Sequence, residues 1–243
     1  MSPVESPLLA LNLLYPLYID QLSIPTIGAE EMNEDTLDAR EVLAKPSPPH
    51  AQKDYQDLVI LKYMAQRIYV TLYLLDEPGD ASQPLLYYAE EGRKHIHRIA
   101  IYRPEELLLN NSLYFVGFIS GKQKPGSPEV IEEIHRVDKM LVVELINTPG
   151  LLSYSSLELR DGNWCNLVLF NDNETKTHIK NSETHAYAAY QLSPRYYAWV
   201  RIHSGIMLGG LARNEMFLQK TRFYQFHGVY EKPTTRELTY EGT

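Results

Sequence analysis

The residues best able to do chemistry in this 243-residue chain lie on one short segment. In Tyr196–His203 (YYAWVRIH), strand alternation puts Tyr197, Trp199, Arg201 and His203 on one side and Tyr196, Ala198, Val200 and Ile202 on the other. An arginine held among aromatic rings can fix a carboxylate or enolate through two hydrogen bonds, and a neighbouring histidine can take a proton near neutral pH. Arg201 and His203 are therefore the candidate catalytic residues, with Tyr197 and Trp199 as the apolar walls of a ligand site. The same pattern has a purely structural reading, an interface salt bridge beside a stacked arginine. In both readings a buried arginine needs a carboxylate or a ligand anion.

The other chemistry-bearing side chains are more scattered. His178 and His185 stand seven apart on an expected helix, about 10 Å along its axis, too far for the joint chelation open to an i, i+4 pair. They are secondary ligand-binding candidates, with surface or structural histidines as the alternative. His95 and His97 share a strand face and could share a metal, but no acid or cysteine adjoins them, and no metal site is assigned. Cys165 sits beside Trp164 inside a strand and reads as a small core residue. There is no G-x-S-x-G elbow, P-loop, H-E-x-x-H or dinucleotide fingerprint.

Composition bounds the rest. Hydrophobic residues make up 44% and charged residues 22%, an ordinary globular balance. A net charge of −8 argues against nucleic-acid binding, and a single cysteine precludes an intrachain disulfide. The charge-free stretch Ser6–Ile19 contains Pro16, is too short to span a bilayer and lacks a basic flank, so neither membrane association nor secretion is expected and the default location is cytoplasmic. Residues 1–50 hold eight acids against two bases and end in Pro46-Ser47-Pro48-Pro49, an acidic arm with a stiff connector. Residues 193–224 carry Arg195, Arg201, Arg213, Lys220 and Arg222 against Glu215 alone, a basic patch that could receive the arm.

Residues 51–110 read as a β-rich extension. Arg67–Leu75 and His95–Tyr102 have strand composition, Leu85–Ala89 could add a short strand, and Asp76-Glu77-Pro78-Gly79 is a turn. The next segment is more regular. Ser112–Ser120 is a strand, and Ser127-Pro128-Glu129 starts a helix with the stripe Val130, Ile134, Val137, Leu141 and Leu145. Thr148-Pro149-Gly150 stops it. Leu151–Arg160 and Trp164–Phe170 form a hairpin about Asp161-Gly162, Asn171-Asp172-Asn173 caps a second helix running to about Gln191, and Tyr196–Met207 is the last strand. The order β-α-β-β-α-β is the ferredoxin-like unit, so the fold class is α+β. Met216–Phe226 adds a strand within a domain spanning 111–228, and residues 229–243 read as a polar tail.

Within that unit, three stretches are similar to a known family. Thr148-Pro149-Gly150-Leu151-Leu152-Ser153-Tyr154, Gly162–Phe170 and Glu174–His185 resemble the second strand, third strand and second helix of the dimeric α/β-barrel superfamily, in particular its antibiotic-biosynthesis-monooxygenase-like proteins. The resemblance covers residues 112–207. Phe170 stands where that family often has tryptophan, and the first strand lacks the asparagine used by heme-degrading relatives. The resemblance implies a homodimer in which two sheets meet across a two-fold axis, helices on one face and a barrel interior on the other. It also implies a small-molecule binding protein or enzyme, monooxygenase-like, acting on an aromatic or carbonyl compound, with the cofactor unspecified. The 18 tyrosines suit such a cavity. The alternative is a non-catalytic structural or regulatory dimer that uses its acidic arm for protein contacts.

Overall fold

A computed structural model describes residues 48–73, 84–91, 95–123, 126–159, 161–180, 182–229 and 231–240. Most of the acidic arm and the Asp76–Gly79 turn lie outside them. One antiparallel eight-stranded sheet organises the chain. Its strands are β1 (Leu85–Glu91), β2 (His95–Ile101), β3 (Ser112–Lys122), β4 (Leu151–Glu158), β5 (Trp164–Phe170), β6 (Tyr197–Leu208), β7 (Glu215–Gln225) and β8 (Thr234–Thr239). Across the sheet the order is β1-β2-β4-β5-β3-β6-β7-β8. The central block β4-β5-β3-β6 is the strand order of a ferredoxin-like unit, with the first and third strands of β-α-β-β-α-β in the middle. The expected extra strands extend it on both edges; β8 falls within the stretch read as a polar tail.

The helices are α1 (Pro48–Tyr73), α2 (Pro104–Leu109), α3 (Pro128–Glu144), α4 (Thr175–Lys180), α5 (Glu183–Tyr187), α6 (Ser193–Tyr196) and α7 (Gly210–Arg213). On α3 the stripe Val130, Val137 and Leu141 is buried as its spacing requires. The single expected second helix is instead broken into α4, α5, a π-turn at Ala188–Leu192, and α6. The starts of α4 and α5 are set by side-chain caps. Asp172 Oδ1 accepts from the Thr175 N–H at 2.8 Å and starts α4, while Ser182 Oγ accepts from the His185 N–H at 3.1 Å and starts α5. Gly150 ties this region to β4. It has φ +74°, and a Cβ there would lie 2.3–2.5 Å from Thr175, Asp172 and Asn171.

The largest departure from the sequence reading is α1. Arg67–Leu75 reads as a strand by composition, yet Arg67–Tyr73 forms the last turns of a 26-residue helix. Leu58, Leu61, Met64, Ala65, Ile68 and Leu72 recur at helical spacing and are all buried against the sheet. That tertiary burial, about 1.5–3 kcal/mol for each large side chain, outweighs the modest strand preference of Ile68, Tyr69, Val70 and Thr71. Helix α1 approaches closely at β3, where Gly117 leaves room for Leu61. The sheet face opposite α3, which the resemblance implies would meet the sheet of a partner subunit, is covered by the chain's own helix. Its core joins α1 to Ile99, Leu113, Phe115, Leu167, Leu169 and Met207.

Candidate functional site

Strand β6 sends its side chains to two different environments. Trp199, Arg201 and His203 face α1, whereas Val200 and Ile202 face α3, as alternation requires. Tyr197 leaves its expected companions. The β3–β6 register slips between Gly121 and Lys122, which pair with Trp199 and Tyr197, so Ala198 is an extra residue and Tyr197 turns to the α3 side. There it packs edge-on against Phe118 and Tyr196, with ring centroids 5.3 and 4.7 Å away.

Under α1, Arg201 has the carboxylate partner its burial demands. Arg201 Nε and Nη2 donate to the two oxygens of Asp57 at 2.5 and 2.8 Å, and the guanidinium stacks 4.4 Å above the Trp199 ring. His203 Nε2 lies 2.9 Å from Asp57 Oδ2, and Nδ1 lies 2.8 Å from Thr221 Oγ1. An ionised Asp57 places a proton on Nε2. Tyr240 donates to Asp54 and extends the network. Burial alone would raise the Asp57 carboxyl, but hydrogen bonds from His203 and Arg201 outweigh it and hold it below the usual carboxylate range. Asp54, Asp57 and His203 bring one donor atom each to within 4.8 Å of one another, a spacing a divalent cation could bridge. The Arg201 guanidinium already supplies the positive charge there, so the cluster fits a hydrogen-bonded ion network better than a metal. Asp57, Arg201 and His203 thus form a buried ion network within one chain, beneath α1.

The large cavity lies on the other face. Between the sheet and helices α3 to α6 is a space of about 650 Å³, within the range of about 300–1,000 Å³ usual for small-ligand sites. Val116, Phe118 and Val168 form part of its floor, while Tyr197, Trp164 and Tyr224 add aromatic walls. Asp138 of α3 projects into it. The Arg98 guanidinium holds Asp138 through bonds of 2.5 and 2.9 Å, and Tyr154 donates to it at 3.1 Å. His185 of α5 lines it as well. Burial first, and then Lys180, lower its pKa against the pull of Glu144, which favours the neutral imidazole.

The sequence candidates thus separate. Tyr197 and His185 line the cavity; Trp199, Arg201 and His203 lie beneath α1; His178 is exposed on α4 and is not among the lining residues. Asp138, Asn166 and Trp164 join the lining without having been singled out. The α3 stripe could have flagged Asp138, which follows Val137 and stands three residues before Leu141. His97 is fully buried, 6.4 Å from the Tyr63 ring; the His95 side chain lies outside the described set. Cys165 is buried and burial pushes its thiol pKa up, as a core residue requires. The basic patch is largely spent on local acids: Arg201 on Asp57, Arg213 on Glu215, and Lys220 and Arg222 on Glu237.

No family model matches this chain, and no curated protein does. Solved structures do show likeness to it. SnoaB, a cofactor-independent oxygenase from Streptomyces nogalater, is 15% identical with a TM-score of 0.30; the match covers 40% of this chain and 92% of SnoaB. A proposed monooxygenase from Lactobacillus acidophilus is 9% identical with a TM-score of 0.31, covering 44% of this chain. One from Fusobacterium nucleatum is 15% identical with a TM-score of 0.32, covering 55%. This chain spans half of each of the latter two. Likeness at this level carries no chemistry across, and the fold assignment rests on strand order. Over β3 to β6 the chain is a ferredoxin-like α+β unit, and the structures found similar to it are monooxygenase-like.

Proposed function

We propose that this protein binds a small aromatic or carbonyl compound in the cavity between the sheet and α3, and acts on it as a monooxygenase. One observation carries the reading: a cavity of about 650 Å³, walled by aromatic rings, with the His185 imidazole on its lining. A neutral imidazole in such a space can accept a proton from a phenol or from a carbon acid beside a carbonyl. The electron-rich anion so formed can react with O2. For a methylene oxidised to a carbonyl the balance is methylene plus O2 giving carbonyl plus water. Asp138, oriented by Arg98 and Tyr154, would accept a hydrogen bond from a substrate hydroxyl.

The test is oxygen uptake with an anthrone as probe. Wild type should exceed the buffer rate, and His185→Gln should lower the enzymic part on the order of 100-fold. No acceleration over buffer, or an unchanged rate in His185→Gln, would overturn the assignment. The homodimer is a separate matter. Helix α1 removes the main reason for a partner by covering the open sheet face. The surface left for a second copy includes Met140 and Val143 of α3 and Tyr190, all exposed. Among the described residues no helix is long and apolar enough to cross a membrane.

A further inference from the structure

The charge of the cavity is opposite to that of the chain. The protein carries a net −8, yet four basic side chains line the cavity, Lys176, Lys180, Lys220 and Arg222. Lys220 and Arg222 share Glu237, at 2.6 Å each. Of the acids that line the cavity, Asp138 is held by Arg98, and Glu231 makes no ion pair among the described residues. Lys176 and Lys180 likewise have no carboxylate partner among the described residues. The Lys176 ammonium lies 5.4 Å over the Phe170 ring, half-buried. Lys180 and Lys220 line the same cavity, and burial first, then their charges, lower the Lys176 pKa. Like charges gathered in a concave apolar space cost free energy that an anion would relieve.

We infer that the ligand of this cavity is an anion, an aromatic or alicyclic acid whose acidic group meets Lys176 and Lys180 while its apolar body lies on the sheet floor of Val116, Phe118 and Val168. The inference rests on the cavity being the ligand site, and it adds the class of compound the site takes. Two fluorescent probes of similar shape separate the two claims: anilinonaphthalene sulfonate, an anion, and N-phenyl-naphthylamine, which is neutral. Wild type should bind the anion at least about ten-fold more tightly, and salt should weaken the anion alone. Lys176→Met with Lys180→Met should abolish that preference while leaving the neutral probe unchanged. Val168→Trp, which fills the floor, should remove both. Equal binding of the two probes to wild type, or a preference that survives in the lysine variant, would overturn the anion inference and leave the cavity reading intact. Probe binding undiminished by Val168→Trp, or no binding of either probe, would overturn both.

Discussion

Asp57 holds a cation and a histidine beneath α1, so replacing it by asparagine should loosen the helix from the sheet. The Asp57 side chain is 5% exposed, the Arg201 side chain 14% and the His203 side chain fully buried. In Asp57→Asn the guanidinium keeps its charge and loses its counter-ion in that setting. Removing one partner of a buried pair costs about 3–5 kcal/mol, because the remaining charge is left uncompensated. For a chain of this size that is on the order of 10 °C in Tm. Urea denaturation followed by far-UV circular dichroism would measure it, and Arg201→Met would complete the double-mutant cycle. The double variant should recover part of the loss, since it removes the orphaned charge. The pH dependence has a definite sign. The Asp57 carboxyl titrates lower folded than unfolded, so its contribution is complete above the unfolded value, about pH 4, and is lost as pH falls below that. Asp57→Asn should lack this acid-side loss. A destabilisation under about 1 kcal/mol, with no coupling to Arg201, would refute the account of how α1 is held.

Other outcomes follow from particular residues. Gly205→Ala should destabilise by at least about 1–3 kcal/mol, since its Cβ would lie 2.0 Å from the Phe217 carbonyl oxygen; thermal unfolding checks this. Gly150→Ala should cost at least about 1–2 kcal/mol from the left-handed backbone alone, and it should also disturb α4, which packs against that glycine; urea unfolding and amide exchange in Thr175–Lys180 report both. Arg201→Met should leave ligand affinity in the α3-side cavity within about two-fold of wild type while lowering Tm, because the guanidinium lies beneath α1 and outside the lining. Loss of binding without loss of stability would return Arg201 to the ligand site.

What could be read from the sequence followed the strength of its local signals. Helix α3 was readable because Val130, Ile134, Val137 and Leu141 keep one period and Pro128 opens the first turn. Strands β3 to β6 were readable from β-branched and aromatic runs bounded by turns, and their order gave the ferredoxin-like unit. The C-terminal end of helix α1 has strand composition because Ile68, Tyr69, Val70 and Thr71 are strand-formers individually. The periodic signal of Leu58, Leu61, Met64, Ala65, Ile68 and Leu72 was present but is a property of a longer window. The site was split for a different reason. One extra residue on β6 turns Tyr197 to the opposite face, and a bulge leaves no mark in period two. Asp54 and Asp57 were hidden because their partners, Tyr240 and the Arg201–His203 pair, lie more than a hundred residues away.

The central claim is that ligand binds on the α3 side of the sheet, and the chain's two tryptophans report on the two sides separately. Trp164 lines the cavity, whereas Trp199 lies on the α1 side, stacked on Arg201. Their indole N–H groups give two cross-peaks in a nitrogen–proton correlation spectrum, assigned by Trp164→Phe and Trp199→Phe. Titration with anilinonaphthalene sulfonate should move the Trp164 peak saturably and leave the Trp199 peak in place. A saturable shift of Trp199 with Trp164 unmoved would contradict the account and place the ligand beneath α1, against Arg201 and His203.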